Sequence, residues 1–312
     1  MSVTEEICGL ARSLGCSVKI GEELKNHTTF KIGGRCDALI GLQGEESYRK
    51  LIPLAESLGV HYYIFGKGSN LIVDSDGISG IVFQSGKGHS EITADMNVLT
   101  CGAGATLTAI CNFALERGLS GMEFAYGIPG TLGGAVFMNA GAYGGEMKQV
   151  VQTVRSMDKK TGEIRVYLKN ELDFSYRHSR FMESGEIILS ADIELEKFKE
   201  EEGGKAAIKA KMDELMEKRR SKQPLEYPSA GSTFKRPEGS YASLLIEQCG
   251  LKGVHVGDAE VSTKHSGFII NKGNASFAEL MELIRVVKDT VKEKTGYALE
   301  CEPLIITDKK QF

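Results

Sequence analysis

The chain has 312 residues, with 38 Lys+Arg against 42 Asp+Glu and a formal net charge of −4, so no overall basic field argues for nucleic acid. At 41% hydrophobic and 26% charged residues its composition is that of a globular protein with enough chain for two domains or three. No run approaches the ~18 apolar residues of a membrane span, the acidic start MSVTEEICGLARSLG is no signal peptide, and seven cysteines, never C-x-x-C, suit reduced thiols in a cytoplasmic protein.

Thr4–Leu14 reads as a short amphipathic helix with Ile7, Leu10 and Leu14 on one face and Gly15 at its end. NHTTFKIGG, from Asn26 to Gly34, mixes β-formers with a Gly-Gly turn. A helix is predicted over Glu45–Leu58, then strands over His61–Phe65, Leu71–Val73 and Ile78–Phe83, with a glycine turn between the first two. Glu91–Thr93 and Val98–Cys101 read as strands and Leu107–Arg117 as a helix. Val150–Met157 and Ile164–Leu168 read as a hairpin, and Ile187–Leu195 as a further strand. The charged stretch EKFKEEEGGK, from Glu196 to Lys205, is the best linker candidate. Beyond it come helices over Lys205–Ser221 and Tyr241–Gln248. A third, capped by Ser276 with Glu279 completing the box, ends near Gly296, and ALECEPLIIT closes as a strand.

The organising stretch is GMEFAYGIPGTLGGAVFMNAGAYGG, Gly121–Gly145, where eight of twenty-five positions are glycine, far above the ~7% average. Ordered chain tolerates so much glycine where φ must be positive or backbone must approach a ligand. Successive exposed N–H groups of this kind cradle anions, phosphates above all; tight turns between core strands are the other reading. A second glycine turn, Gly66-Lys67-Gly68-Ser69-Asn70, lies about sixty residues earlier, and two such turns can close on one pyrophosphate. There is no P-loop, and the G-x-G openings at Gly66 and Gly102 lack the third glycine of a Rossmann fingerprint. The six histidines form no H-x-x-x-H pair, which argues against a zinc site.

Three further segments are odder than structure alone requires: FSYRHSRF around Arg177, YPSAGSTFKRP around Ser232, and ECEPLII with Glu302 before a proline. Together with GKGSNL (Gly66–Leu71), GIPGTLGGAV and MNAGAYG (Gly127–Gly144) and VSTKHSGFIIN (Val261–Asn271), they occur in an order that closely resembles the UDP-N-acetylenolpyruvoylglucosamine reductase family. The 55-residue step from Arg177 to Ser232 is similar to the shorter subclass, which lacks an inserted tyrosine-bearing loop.

The resemblance implies an α+β protein. Its FAD-binding domain would be of the vanillyl-alcohol-oxidase type, built from two α/β subdomains, with a smaller α/β substrate-binding domain. The flavin domain is expected over 1–203, divided near 83 with 303–312 returning to it, and the substrate domain over 204–302, the Gly203-Gly204 link permitting closure. It implies non-covalent FAD held by Thr29, by Gly66, Lys67, Gly68, Ser69, Asn70 and Leu71, by Gly127, Ile128, Pro129, Gly130 and Thr131, and by Gly133, Gly134, Ala135 and Gly141. NADPH would be a transient reductant. The substrate would be UDP-N-acetylglucosamine enolpyruvate, with no nucleic acid or membrane partner.

In the reaction so implied, hydride addition to the vinyl terminus leaves charge beside a carboxylate, and an enolate-like dianion needs positive charge and prearranged donors. Arg177 supplies a planar, permanently charged fork. Glu302 suits the site if it is protonated or acts through a water; a buried glutamate near other negative charge can have a raised pKa, which would make it a donor. Ser232 matches the family's proton donor, and a carbanion is basic enough to accept from a hydroxyl. Lys235 and Arg236 are expected at substrate phosphates, Tyr143 at the diphosphate, and Lys264 and His265 at substrate or nicotinamide. A flavin oxidase of the same fold, or a non-catalytic flavin or sugar-nucleotide binding module, are the rival readings.

Overall fold

The computed structural model describes residues 2–198 and 203–309. The chain forms two compact units that interleave along the sequence: one from the start to Ile20, Ala38–Lys67 and Gly80–Lys218, the other from Gly21–Asp37, Gly68–Ser79 and Arg219 onward. The arrangement is α+β, as expected.

In the first unit, a four-stranded sheet has the order Ser17–Ile20, Ala38–Gly41, Ile81–Gln84, Tyr62–Phe65, antiparallel at the first pair and parallel at the others. Helices Val3–Ser13 and Gly44–Ser57 bury Ile7, Ala11, Tyr48, Leu51 and Ile52 against it, while Leu10 and Leu14, expected on the inner face of the first helix, are only partly buried. A five-stranded antiparallel sheet has the order Ile164–Leu168, Val151–Met157, Ile187–Glu194, Val98–Gly102, Ile92–Asp95. Its core gathers Leu99, Val151, Val154 and Ile193 with Leu107 and Ile110 of the helix Leu107–Glu116.

The second unit is built round the helix Phe277–Thr295. It has the expected capping box of Ser276 and Glu279 and ends on Gly296 at φ 78°, where left-handed backbone favours glycine. Its face, Leu280, Leu283, Ile284, Val287 and Val291, packs with Phe30, Ile32, Ile72, Phe234 and Ile246. The strand Leu71–Val73 pairs in parallel with Leu304–Ile306, and Ala259–Val261 lies between His255–Val256 and Ile269–Asn271.

Several expectations need correction. The helix beyond the linker spans Gly204–Lys222 and packs Ile208 and Met212 into the first unit's core, and this compact unit runs on to Lys218. Part of the expected linker, 199–202, and the end of the expected return, 310–312, lie outside the described residues. The segment from Asn26 contains a 3-10 turn, Leu24–His27, and no strand. The strand expected from Ile78 starts at Ile81, because the Ile78 N–H turns to Arg35 O and Gly80 adopts φ 108°. The final strand shortens to Leu304–Ile306, beginning just after Pro303, which has no N–H to donate to a ladder.

Candidate active site

Chain passage between the units falls inside the first glycine turn, between Lys67 and Gly68. The turn follows the strand Tyr62–Phe65, and a Cβ at Gly66 would stand 2.3 Å from Thr131 Oγ1 in the second turn. Within the first unit, the two glycine turns therefore meet, though 65 residues separate Gly66 from Thr131. Among the described residues, the N–H groups of Gly66, Lys67, Gly68 and Ser69 donate to no protein acceptor, and neither do those of Gly127, Thr131 and Gly134. Thr131 precedes the short helix Leu132–Phe137. Within the first unit, Gly66 and Lys67 with Gly127, Thr131 and Gly134 offer backbone N–H groups that no described protein acceptor takes up, and Gly66 meets Thr131; such groups fit the phosphate part of a dinucleotide.

Two of the expected cofactor glycines have packing reasons of their own. A Cβ at Gly133 would come within 3.1 Å of Ala103 Cβ, and one at Gly141 within 2.6 Å of Gly145 O across a two-residue hairpin. Ala135 is buried in the core, whereas Gly130 and Gly134 meet nothing closer than 3.7 Å. Ile128 N–H donates to Ala125 O and Gly130 O accepts from Leu107 N–H, fixing the turn that holds Pro129.

Arg177 sits at the apex of a tight hairpin closed by reciprocal 3.2 Å bonds between Ser175 and His178. Its φ of 55° is left-handed, uncommon for a non-glycine residue, and its guanidinium lies 5.3 Å from the Tyr176 ring centroid. His178 contacts Asp173 O and Glu183 Oε1, both at 3.1 Å, and these acceptors raise its pKa. Tyr143 is likewise an apex residue, at φ 54°, 43% exposed, between paired Gly141–Ala142 and Gly145–Glu146.

The second unit brings together five sequence-distant segments. Phe234 pairs antiparallel with Cys301, so Thr233 lies opposite Glu302 and its carbonyl accepts the Glu302 N–H at 2.9 Å. Half-buried Ser232 is the next residue, preceded by Gly231 at φ 79°. Thr233 is locked in turn: its N–H donates to Gly267 O at 2.8 Å and its Oγ1 accepts from Ile269 N–H at 2.9 Å. Thr29 spans the glycine turn and the serine loop, donating from N–H to Gly68 O at 3.2 Å and from Oγ1 to Ser229 O at 2.7 Å. Asn70 brackets the acid, donating from Nδ2 to Glu302 O at 3.4 Å and accepting from Leu304 N–H at 3.0 Å. Ser69 and Leu71 flank it, Leu71 opening the strand.

The expected basic residues are more peripheral. Lys235 pairs with Glu300 at 3.2 Å and Lys264 with Glu226 at 3.4 Å, while the Arg236 guanidinium lies 4.8 Å from the Tyr241 ring centroid. His265 accepts the Gly267 N–H at Nδ1, and burial lowers its pKa, which favours a neutral ring carrying its proton on Nε2. Sequence reasoning missed Asn139 as a structural node, although an asparagine inside a glycine-rich run is a signal for left-handed backbone; its φ is 45°.

The FAD binding domain family model matches residues 36–167, and the model for the C-terminal domain of UDP-N-acetylenolpyruvoylglucosamine reductase matches 223–306. The chain is 47% identical over 288 residues to the UDP-N-acetylenolpyruvoylglucosamine reductase of Clostridium novyi, covering 92% of each. It is 46% identical over 305 residues to that of Clostridium tetani, covering 97% of each. The crystal structure of the corresponding reductase from Thermus caldophilus matches with a TM-score of 0.77 at 33% identity, over 94% of this chain and 99% of the other. Glycine turns with open N–H groups, paired serine and glutamate segments and full-length relatives agree: the chain belongs to the UDP-N-acetylenolpyruvoylglucosamine reductase family and carries an FAD-binding domain.

Proposed function

We propose that this chain reduces the enolpyruvyl ether of UDP-N-acetylglucosamine enolpyruvate to UDP-N-acetylmuramate, a precursor of peptidoglycan, with non-covalent FAD and NADPH as reductant. The observation that carries the reading is the pairing of the Ser232–Phe234 segment with Cys301–Glu302, which joins the backbones of the serine and glutamate motifs although about seventy residues separate them. Flavin binding is assigned to the part that precedes residue 223 and substrate binding to the C-terminal part. The glycine turns Gly66–Asn70 and Gly127–Thr131 would hold the pyrophosphate through their backbone N–H groups, with Thr29 fixing the first turn.

When bound, FAD supplies the hydride, taken from NADPH, that adds to the vinyl terminus. The charge left on the carbon beside the carboxylate spreads into an enolate. Arg177 binds that carboxylate with two parallel N–H donors and stays charged throughout. Glu302 acts on the same developing charge, as a protonated donor or through a water, and Ser232 gives its hydroxyl proton to the carbon. Serine is a weak acid, yet the carbanion is a stronger base than the serine alkoxide left behind, so the transfer from hydroxyl to carbon runs downhill, and the alkoxide regains its proton from solvent. Lys235, Arg236 and Tyr143 serve the diphosphate, and Lys264 and His265 the remaining substrate or the nicotinamide.

The protein is assigned to the cytoplasm, where NADPH and sugar nucleotides are found. All seven cysteines are unbridged, and no described helix is long and apolar enough to cross a membrane. A stopped-flow separation of half-reactions tests the mechanism. Ser232→Ala is expected to let NADPH bleach the flavin within about threefold of the normal rate while product formation falls at least about a hundredfold. Equal loss in both halves removes the assignment of Ser232, and failure of the reduced wild type to discharge onto the enolpyruvyl substrate favours an oxidase of the same fold.

A further inference from the structure

Two apex residues in the first unit, Tyr143 and Arg177, share an uncommon feature: each is a non-glycine residue at positive φ, 54° and 55°, on a two-residue hairpin. Such backbone costs about 1 kcal/mol or more unless the surroundings hold it. Between the hairpins lies Asn139, 1% exposed and itself left-handed at φ 45°. Its Nδ2 donates to Ser175 O at 2.9 Å, at the base of the Arg177 hairpin, and to Glu146 Oε2 at 2.8 Å, at the base of the Tyr143 hairpin. Its Oδ1 accepts from Lys148 N–H at 2.9 Å. One buried amide thus spends both donors and its acceptor on joining the two hairpins. A second tie comes from Ser179, fully buried, whose hydroxyl donates to Phe137 O at 2.6 Å at the end of the helix Leu132–Phe137.

We infer that Asn139, with Ser179, is a positioning residue that sets Arg177 and Tyr143 in one fixed relation for the enolpyruvyl diphosphate substrate. The inference rests on reading Arg177 and Tyr143 as substrate residues. The amide is the side chain this position demands. Aspartate tolerates left-handed backbone equally well but presents two acceptors to the Glu146 carboxylate and the Ser175 carbonyl, so both donor bonds are lost without a change of shape. Glycine would allow the backbone and supply no bond at all. Misplacing a charge-stabilising group by about 1 Å costs on the order of a hundredfold in rate, so the effect belongs to substrate turnover, and NADPH oxidation, which needs neither apex, is spared.

The test uses holoenzyme and five variants, Arg177→Ala among them, reading flavin bleaching by NADPH, reoxidation by the enolpyruvyl substrate across its concentration range, and calorimetric affinity of the oxidised enzyme for that substrate. Asn139→Asp is expected to bleach within about threefold of wild type and to reoxidise at least about tenfold slower, with weaker substrate binding. Glu146→Gln alone is expected to stay near wild type, because the amide that replaces the carboxylate still offers an acceptor to Asn139. Asn139→Asp combined with Glu146→Gln is expected to regain part of the loss, since the introduced amide then donates to the introduced carboxylate. Ser179→Ala leaves the amide intact and is expected to slow reoxidation alone, by less. Asn139→Asp reoxidising at the wild-type rate beside a slow Arg177→Ala overturns this inference and leaves the reading of Arg177 standing. Arg177→Ala at the wild-type rate overturns both. Equal slowing of the two half-reactions, a double variant no better than Asn139→Asp, or Ser179→Ala normal in both halves also overturns it.

Discussion

Ser232 acquires its setting from backbone bonds one residue away rather than from a partner of its own. Thr233 is pinned by Gly267, Ile269 and Glu302, which leaves the preceding serine on a segment fixed to the Glu302 backbone. Arg177 is held differently, by a strained apex whose neighbours are anchored. Its planar fork matters as much as its charge: Arg177→Lys keeps the charge but loses the second parallel donor. The expected outcome is reoxidation by substrate slowed about a hundredfold, with NADPH bleaching within about threefold. Equal rates for arginine and lysine in both half-reactions would show that charge alone suffices. Glu302→Gln is expected to slow the same half-reaction.

At the level of elements, the first glycine turn carries a tight steric constraint within the region matched by the FAD-binding family model. Gly68 stands at φ 63°, and a Cβ there would lie 2.1 Å from His27 O, a backbone atom with no freedom to retreat. Gly68→Ala therefore combines left-handed backbone with a hard overlap, and a cost of at least about 2 kcal/mol is expected. The measurable result is protein purified with much less bound FAD, read from the visible absorbance per mole of chain. A Gly68→Ala protein as yellow as the parent would mean that the turn can move. Gly144→Ala is the natural comparison: it sits at φ 87° but meets nothing within 4 Å, so it carries the backbone strain without the overlap.

For the molecule as a whole, two histidines report opposite environments. A bond to the Asp173 carbonyl, joined by Glu183, raises His178, so its contribution to stability is full below the unfolded value of about 6.5 and is lost as pH rises through the higher folded value. Burial lowers His265, so the folded chain prefers the neutral ring; stability is full above about 6.5 and declines as pH falls toward the lower folded value. Imidazole resonances followed by NMR should invert in that order, His178 above the ordinary value and His265 below it. The reverse order would remove both assignments. The interleaved chain path has a similar local cause: Phe30, Ile32 and Ile72 belong to the second core, and Leu71–Val73 pairs with Leu304–Ile306, so two early segments leave the first unit.

The capped helix Phe277–Thr295 and the hairpin of Val151–Met157 with Ile164–Leu168 were legible in the sequence because period and caps are local properties. The motif order around Arg177, Ser232 and Glu302 was legible too, since chemistry fixes residue types. The short strands Ser17–Ile20 and Ala259–Val261 were not, because few residues carry their pattern and partners far along the chain decide them. Tertiary structure alone decided that Gly204–Lys222 joins the first core through Ile208 and Met212. It also decided that Thr233 faces Glu302 and that one buried amide at Asn139 ties two hairpins together. Those are pairings between distant segments, and no local propensity encodes which carbonyl a side chain will meet.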